Sequence, residues 1–286
     1  MSKQSTSFNN YPLSKCTTFK QSGAVAKFSK FNTLDDLVAF LKLKEDYFIV
    51  GKGSNSIINP ESSIKHVIQL SGDMFKPECN STQVTFSAGT SVNDYLKFCI
   101  KHGCGGLEFS AGVPATIGGM VTMNFGCWGT EVSDILESVL ILDDQLNKTV
   151  LTNKDLHFDY RKSIFQEKKW IILKATFNYK RQDPDVIKKT VHTYIKDRLA
   201  KQPIRSKTFG SIFANPKNHF AAKLIEEAGL KGFEMGGVKL SSQHANFMEN
   251  LGLATYEDVK NMVSFVQKKI VEKFQIKLEP EVKFYE

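Results

Sequence analysis

Two glycine-rich segments constrain the fold of this 286-residue chain more than any other feature of its sequence. The first, "GKGSNS" (Gly51–Ser56), directly follows the apolar run "YFIV". The second, "SAGVPATIGGMVTMNFG" (Ser110–Gly126), is built almost entirely of glycine, proline and small or apolar residues. Glycine lets backbone N–H groups approach a phosphate closely. Each segment alone also fits a tight turn, but two in one chain predict a dinucleotide cofactor.

Neither segment follows the common nucleotide-binding patterns. Ser56 stands where the dinucleotide fingerprint Gly-x-Gly-x-x-Gly requires its third glycine. The Gly-Lys-Ser/Thr ending of a phosphate-binding P-loop is also missing at the right spacing. The sequence therefore predicts a cofactor bound outside the Rossmann scheme.

The composition is that of a globular protein, with 41% hydrophobic and 24% charged residues. We expect more than one domain at this length. The N-terminus shows no signal peptide, and no apolar run approaches the roughly 18 residues that span a bilayer. The five cysteines are odd in number and form no framework, which predicts reduced thiols, a cytoplasmic location and no membrane partner. The six histidines are scattered, so we expect no metal site.

Positive charge is concentrated in residues 152–207, which contain fifteen Lys and Arg against six Asp and Glu. Such an excess favours an anionic partner, either a nucleic acid or a small molecule carrying phosphates. A lysine-rich helix face exposed to solvent explains it as well. The basic residues are not interleaved with aromatic stacking platforms, and no nucleic-acid-binding module is visible, so we expect no nucleic acid.

The pattern of apolar and capping residues predicts mixed helix and strand. Five helices are expected, at 33–44, 91–103 with Gly103 as C-cap, 184–201, 219–228 and 256–274 with Thr255 and Asp258 as a capping pair. Strands are expected at "YFIVGKGSN", "KHVIQL", "QVTFSAG", "SVLILDD", "KTVLT", "WIILKATFNYK" and "LEPEVKFY". The composition shifts near 184–205, which is the best candidate for a domain boundary.

Three further strings contain candidate catalytic residues. "GSIFANP" predicts a short strand from Ser211 to Ala214 that ends before Pro216. Ser211 is not in a Gly-x-Ser-x-Gly elbow, so it is not a hydrolase nucleophile.

The other two strings contain charged side chains. Arg161 in "DYRKSIFQ" fits either a surface ion pair with Asp159 or Glu167, or a buried fork that binds a carboxylate. In "LEPEVKFY", Glu279 and Glu281 are two residues apart and would face the same side of a strand.

An ordered set of strings along nearly the whole chain resembles one family, the UDP-N-acetylenolpyruvoylglucosamine reductases (MurB). The strings are "PLSKCTTF", "GKGSNS", "GLEFSAGVPATIGGMVTMNFGCWG", "YRKSIF", "QPIRSKTFGSIFANP", "AAKLIEEAGLKG", "SSQHANFMEN" and "LEPEV". The short interval after Tyr160 and Arg161 resembles the compact subtype, which lacks an extra tyrosine-bearing loop. Ala115, Phe125 and Trp128 depart from the residues usual in the family.

The resemblance implies an α+β fold with a two-lobed, non-Rossmann, PCMH-type FAD-binding domain and a C-terminal α+β substrate-binding lobe. The FAD-binding domain would cover residues 1–184, with lobes of about 1–72 and 73–184. The substrate-binding lobe would cover residues 185–286.

The resemblance also implies the site residues. Catalytic roles fall on Arg161 and Glu281, which would polarise the substrate carboxylate, and on Ser211 as the proton donor. Substrate binding falls on Tyr160, Asn215, His244 and Asn246. Cofactor binding falls on Gly51, Lys52, Gly53, Ser54, Asn55, Ser56, Gly112, Val113, Pro114, Ala115, Gly118, Gly119, Asn124 and Gly126.

The implied reaction is the FAD-dependent, NADPH-driven reduction of UDP-N-acetylglucosamine enolpyruvate to UDP-N-acetylmuramate in peptidoglycan synthesis. Its partners would be the UDP-sugar and NADPH, and the protein would be a monomer. One alternative is another FAD oxidoreductase of the same cofactor fold with a different substrate. The other is a non-enzymatic nucleic-acid binder that uses the basic region.

Overall fold

The computed structural model describes residues 4–286, which form two compact units. The first unit consists of residues 4–7, Ser29–Lys52 and Ile68–Asp197. The second consists of Phe8–Phe28, Gly53–Val67 and Arg198–Glu286. The expected domains, 1–184 and 185–286, stay a prediction.

The described residues contain seven α-helices, and the predicted capping residue Thr255 begins one of them. They are α1 (Leu34–Leu41), α2 (Val92–His102), α3 (Ile117–Thr122), α4 (Val132–Ile135), α5 (Pro184–Lys201), α6 (Ala221–Glu227) and α7 (Tyr256–Phe274). Thr33, Ser91 and Thr255 accept a hydrogen bond from the backbone N–H three residues ahead. Short 3-10 helices cover Leu13–Lys15, Glu108–Ser110, Asn153–Leu156 and Ile164–Gln166.

The described strands are mostly short. They are β1 (Thr6–Pro12), β2 (Ala24–Phe31), β3 (Tyr47–Ile49), β4 (Ser56–Ile58), β5 (His66–Leu70), β6 (Glu78–Cys79), β7 (Gln83–Ser87), β8 (Cys104–Gly105), β9 (Gly126–Cys127), β10 (Thr130–Glu131), β11 (Leu136–Leu142), β12 (Lys148–Thr152), β13 (Ile171–Asn178), β14 (Lys180–Arg181), β15 (Glu234–Met235), β16 (Val238–Leu240), β17 (Met248–Asn250) and β18 (Lys283–Tyr285). One sheet has the order β1-β2-β5-β3.

A five-stranded antiparallel sheet in the order β12-β11-β13-β7-β6 organises the first unit. Its central strand β13 buries Ile171, Ile172, Leu173, Ala175 and Phe177. Four of these residues alternate along the strand, so one face of the sheet packs fully against the core and the other face is only partly covered. The core continues into α2, α3 and the buried face of α5.

Helix α7 organises the second unit. Val259, Met262, Val263, Val266 and Ile270 lie along one face of this helix and are buried, as the helical period of these residues predicts. The same core contains Phe209, Ile212 and Phe213. These three residues flank Ser211, so the core anchors the segment that carries the candidate proton donor.

Most of the predicted elements are confirmed, but one strand is wrong. Residues 211–214 form no strand; only two isolated bridges occur, Ser211 to Phe247 and Phe213 to Pro280. This segment bonds to irregular partners on both sides rather than to a strand, so no ladder can propagate. "LEPEVKFY" is regular only from Lys283 to Tyr285, because Pro280 cannot donate to a ladder. Within residues 4–286, no helix is long and apolar enough to cross a membrane.

Candidate active site

The loop from Gly51 to Ser54 presents a run of unpaired backbone donors. No residue within 4–286 accepts a hydrogen bond from the N–H groups of Gly51, Lys52, Gly53 or Ser54. Successive free N–H groups in a tight loop form a concave site for an anion. The loop therefore has the donors that a pyrophosphate requires.

Both glycines of this loop are sterically required. A Cβ atom at Gly51 would collide with Oγ1 of Thr116, and one at Gly53 would collide with the carbonyl oxygen of Cys16. Gly53 also has a φ of +61°, which L-residues rarely adopt. The sequence signal at "GKGS" thus reflects packing as well as ligand access.

The second glycine-rich segment uses its donors differently. Thr116 caps α3 by accepting from Gly119 N at 3.3 Å. Ile117 N donates to Thr90 O at 3.0 Å and Gly118 N to Ala88 O at 2.8 Å. The first turn of α3 is therefore bound to its own unit. Gly118 is also needed for packing, because a Cβ there would lie 3.1 Å from that of Ala88.

Asn124 joins two loops of the first unit and is buried. Its Nδ2 donates to Glu131 Oε2 at 2.9 Å and to Asp159 O at 3.2 Å, and its Oδ1 accepts from Ser133 N at 3.0 Å. The side-chain amide is thus fully engaged by protein groups. Asn124 holds the β9–β10 hairpin against the turn that carries Arg161.

Arg161 lies in a tight turn closed by Asp159 and Lys162, whose backbones exchange hydrogen bonds of 3.0 and 3.3 Å. Its φ is +58°, an unusual conformation for a residue with a side chain. Its Nη2 donates to Gly126 O at 3.0 Å. The guanidinium carbon lies 5.0 Å from the ring centroid of Tyr160 and 5.8 Å from that of Phe125. The guanidinium is therefore held by a carbonyl and two aromatic rings.

On one side, the Ser211 segment is held by Asn246. Ile212 N donates to Asn246 O at 2.9 Å, and Phe213 N donates to Asn246 Oδ1 at 3.0 Å. Asn246 Nδ2 returns a bond to Phe213 O at 2.8 Å. The side chain of Asn246 thus imitates a neighbouring strand and fixes the backbone on which Ser211 lies.

The Ser211 side chain itself is open to a ligand. It is half-buried, and its hydroxyl has no hydrogen-bond partner within residues 4–286. A half-buried hydroxyl without a protein partner is available to a bound molecule. This is the state expected of a proton donor that acts on a ligand.

Glu281 is brought to the same place by backbone contacts. Its N–H donates to Ile212 O at 2.8 Å, and its carbonyl oxygen accepts from Asn55 Nδ2 at 3.0 Å. The parallel pairing of β18 with β4 continues this contact, with Lys283 opposite Ser56. Three strings that are far apart in the sequence, "GSNS", "GSIFANP" and "LEPEV", therefore meet in the second unit.

Two predicted substrate-binding residues lie elsewhere in the second unit. Asn215 is exposed and its Oδ1 accepts from Ala221 N at 3.0 Å, at the start of α6. His244 packs edge-on against Phe247 at 4.8 Å, and its buried Nδ1 has no partner in the described chain. Burial lowers the pKa of His244, because the charged form loses its hydration. Burial therefore favours the neutral form of the His244 ring.

Sequence reasoning missed what supports these side chains. The link between Asn55 and Glu281 joins residues 226 positions apart and has no sequence signal. Ser163 and Gln166 both donate to Thr122 O, at 2.7 and 3.1 Å, and Gln166 also donates to Arg161 O at 2.8 Å. Both polar residues follow Arg161 closely in "YRKSIFQ", which was the available signal.

Comparison with known proteins agrees with this geometry. The family model of the UDP-N-acetylenolpyruvoylglucosamine reductase C-terminal domain matches residues 202–285, and that of an FAD binding domain matches residues 23–145. A protein named UDP-N-acetylenolpyruvoylglucosamine reductase from Caldanaerobacter subterraneus is 36% identical over 285 residues, covering 98% of this chain and 94% of that protein. This chain belongs to that family.

Further relatives give the same result. A UDP-N-acetylenolpyruvoylglucosamine reductase from Listeria monocytogenes is 38% identical over 279 residues, covering 96% of this chain and 93% of that protein. The crystal structure of UDP-N-acetylenolpyruvylglucosamine reductase (MurB) from Thermus caldophilus aligns with a TM-score of 0.83 at 29% identity, covering 99% of each chain. The predicted α+β fold with an FAD-binding domain is confirmed.

Proposed function

We propose that this chain reduces UDP-N-acetylglucosamine enolpyruvate to UDP-N-acetylmuramate, with FAD as its cofactor and NADPH as the hydride source. The observation that carries the proposal is the meeting of Ser211, Glu281 and the Asn55–Ser56 segment in the second unit. Family membership supplies the substrate class, because the relatives are named for this reduction.

The residues present fit FAD. The unpaired N–H groups of Gly51–Ser54 would hold the pyrophosphate, since an anion satisfies successive free donors. The small residues from Gly112 to Gly126 would let the backbone lie close to the flavin, including Val113, Pro114 and Ala115. Bound FAD supplies hydride transfer, and the protein supplies binding and orientation.

Arg161 would bind the carboxylate of the enolpyruvyl group. Charge develops on this carboxylate and on the carbon beside it as the double bond is reduced. A guanidinium presents two parallel N–H donors to a carboxylate, which an ammonium cannot do. Donors aimed at developing charge contribute about 2.7–4 kcal/mol each in comparable sites. Family resemblance gives Glu281 a part in polarising the substrate carboxylate.

Ser211 would donate the proton that completes the reduction. Its hydroxyl has no protein partner to lose, and Asn246 fixes the backbone that carries it. The O–H bond breaks as the electron pair on the carbon next to the carboxylate takes the proton, and the serine oxygen then regains a proton from water. Tyr160, Asn215 and His244 would contact the remainder of the UDP-sugar.

Location and oligomeric state follow as finer proposals. All five cysteines are free thiols, which is typical of a reducing compartment. We therefore propose a cytoplasmic location, and the resemblance favours a monomer.

The absorbance spectrum of the purified protein tests the cofactor assignment. We expect a yellow protein that releases FAD rather than FMN on denaturation, because only FAD has a pyrophosphate for the Gly51–Ser54 loop. A protein that stays colourless after incubation with FAD would contradict the cofactor assignment and the proposed function that depends on it.

A further inference from the structure

A stacked aromatic pair in the first unit has no role in the mechanism above. Trp128 lies on Tyr194 of α5 with ring centroids 4.1 Å apart and ring planes 6° apart. Trp128 forms the tip of the β9–β10 hairpin, and its ring is about one-third exposed. The pair therefore connects the hairpin tip to a long helix.

The turn at the hairpin tip is unfavourable for a tryptophan. Cys127 pairs with Thr130, which leaves Trp128 and Gly129 as a two-residue loop. Both have positive φ, +52° and +79°. This turn geometry favours Asn-Gly or Gly-Gly, and a bulky aromatic residue there is strained. A strained residue persists where its surroundings hold it, and one contact that does so here is the stack on Tyr194.

The base of the same hairpin touches Arg161. Gly126 O accepts the 3.0 Å hydrogen bond from Arg161 Nη2, and the ring of the preceding Phe125 lies 5.8 Å from the guanidinium. Asn124 ties this base to Asp159, two residues before Arg161. A shift of the hairpin would therefore move the carbonyl that orients the guanidinium.

We propose that the Trp128–Tyr194 stack is a positioning device for Arg161. The stack holds the hairpin tip on α5, the hairpin places Gly126 O, and Gly126 O aims the guanidinium at the substrate carboxylate. Trp128 and Tyr194 are positioning residues because they act through Arg161. The inference rests on the proposed function, since it assumes that Arg161 binds that carboxylate.

Tyr194→Ala tests the device in FAD-loaded enzyme by rapid mixing without oxygen. Reoxidation of the NADPH-reduced flavin by saturating UDP-N-acetylglucosamine enolpyruvate should slow at least tenfold. FAD content and bleaching by NADPH should stay within twofold of the parent. Tyr194→Phe should restore reoxidation to within twofold, because stacking does not require the hydroxyl. His192→Ala, at an exposed position of the same helix, is the matched control and should change nothing.

Trp128→Gly distinguishes positioning of Arg161 by the stack from an effect of backbone strain at the hairpin tip. It also provides a second test if Tyr194→Ala folds poorly. Gly-Gly is well suited to this turn, so a tip that matters only for backbone strain would become more stable and stay fully active. The positioning account expects slow reoxidation despite the relaxed turn. Normal reoxidation in Trp128→Gly would overturn it.

A double-mutant cycle with Arg161→Lys closes the test. If the stack acts through Arg161, adding Tyr194→Ala to the Arg161→Lys variant should slow flavin reoxidation by less than a further threefold. The inference would be overturned if Tyr194→Ala slowed reoxidation by the same factor in the parent and in the Arg161→Lys variant. If Arg161→Lys is slow and Tyr194→Ala is normal, the inference alone fails. If Arg161→Lys is itself normal, the proposed role of Arg161 fails and the inference falls with it.

Discussion

Ser211 in the second unit and Arg161 in the first, two of the proposed catalytic side chains, are held in different ways. Around Ser211 the backbone makes most of the contacts. Asn246 bonds to the two residues that follow Ser211, Ile212 and Phe213, and Glu281 N donates to Ile212 O. Around Arg161 the side chain itself is also held, by the Gly126 carbonyl and two aromatic rings, in addition to the bond from Gln166 to Arg161 O.

This difference matches what each group must do. A proton donor on a short side chain has one rotatable bond before its oxygen, so its backbone must be placed accurately. A guanidinium at the end of a long side chain must instead be held at its tip. We therefore expect substitutions near Ser211 to affect folding, and substitutions near Arg161 to affect turnover with little effect on folding.

The largest effect is expected for Ser211→Ala. Removing a general acid typically lowers a rate about 10²–10⁴-fold. Flavin reoxidation by the enolpyruvyl substrate should fall by this factor, while bleaching by NADPH stays unchanged, because the proton is needed only in the second half-reaction. Ser211→Cys should retain part of the activity. Ser264→Ala, on the exposed side of α7, serves as the control. Equal reoxidation in Ser211→Ala and its control would make Ser211 structural.

Arg161→Lys should lower kcat by about 10²-fold with FAD content unchanged, since the charge remains but the paired donors are lost. Steady-state kinetics with flavin quantification check this. The exposed Arg205 supplies a control, Arg205→Lys. A kcat within twofold of the parent would mean that the paired donors of Arg161 do not contribute to turnover.

Five of the seven described helices and most strands of the five-stranded sheet could be predicted because local signals dictate them, but the pairing of the strands could not. Thr33, Ser91, Thr255 and the αL cap Gly103 fix helix ends through contacts within a few residues. The Ser211 segment has the sequence pattern of a strand, because apolar residues report burial and not the identity of the partner. That partner is the side chain of Asn246, 33 residues away from Phe213.

The candidate residues could be listed from the sequence, but not their supports. Family strings contain Ser211, Arg161 and Glu281, whereas the tie between Asn55 and Glu281 and the stack of Trp128 on Tyr194 depend on tertiary placement. Such contacts leave no periodicity or spacing to detect.

Asn246→Ala sharpens the comparison through stability. It leaves the N–H and C=O of buried Phe213 unpaired, which should lower the free energy of unfolding by about 2 kcal/mol. Asn215→Ala removes one part-buried hydrogen bond and leaves only one backbone group without its partner, so it should lower the free energy of unfolding by less. Urea unfolding of both FAD-loaded variants measures the difference. Equal losses would mean that Asn246 does not hold the Ser211 segment.

The smallest effect concerns pH. The pKa of His244 is lowered in the folded state by burial, so the unfolded chain binds a proton more readily. The stability that neutral His244 contributes is present above the unfolded pKa of about 6.5 and is lost as pH falls through the lower folded pKa. Tm should therefore drop less between pH 7.5 and pH 5 in His244→Gln than in the parent. The exposed His219 gives the control, His219→Gln, whose Tm should follow the parent.

The most direct test of the central claim is a single anaerobic titration of the parent enzyme followed by flavin absorbance. NADPH should bleach the flavin, and one equivalent of UDP-N-acetylglucosamine enolpyruvate should restore its colour while UDP-N-acetylmuramate appears in equal amount. A flavin that stays bleached until oxygen is admitted would contradict the reductase function proposed for this site.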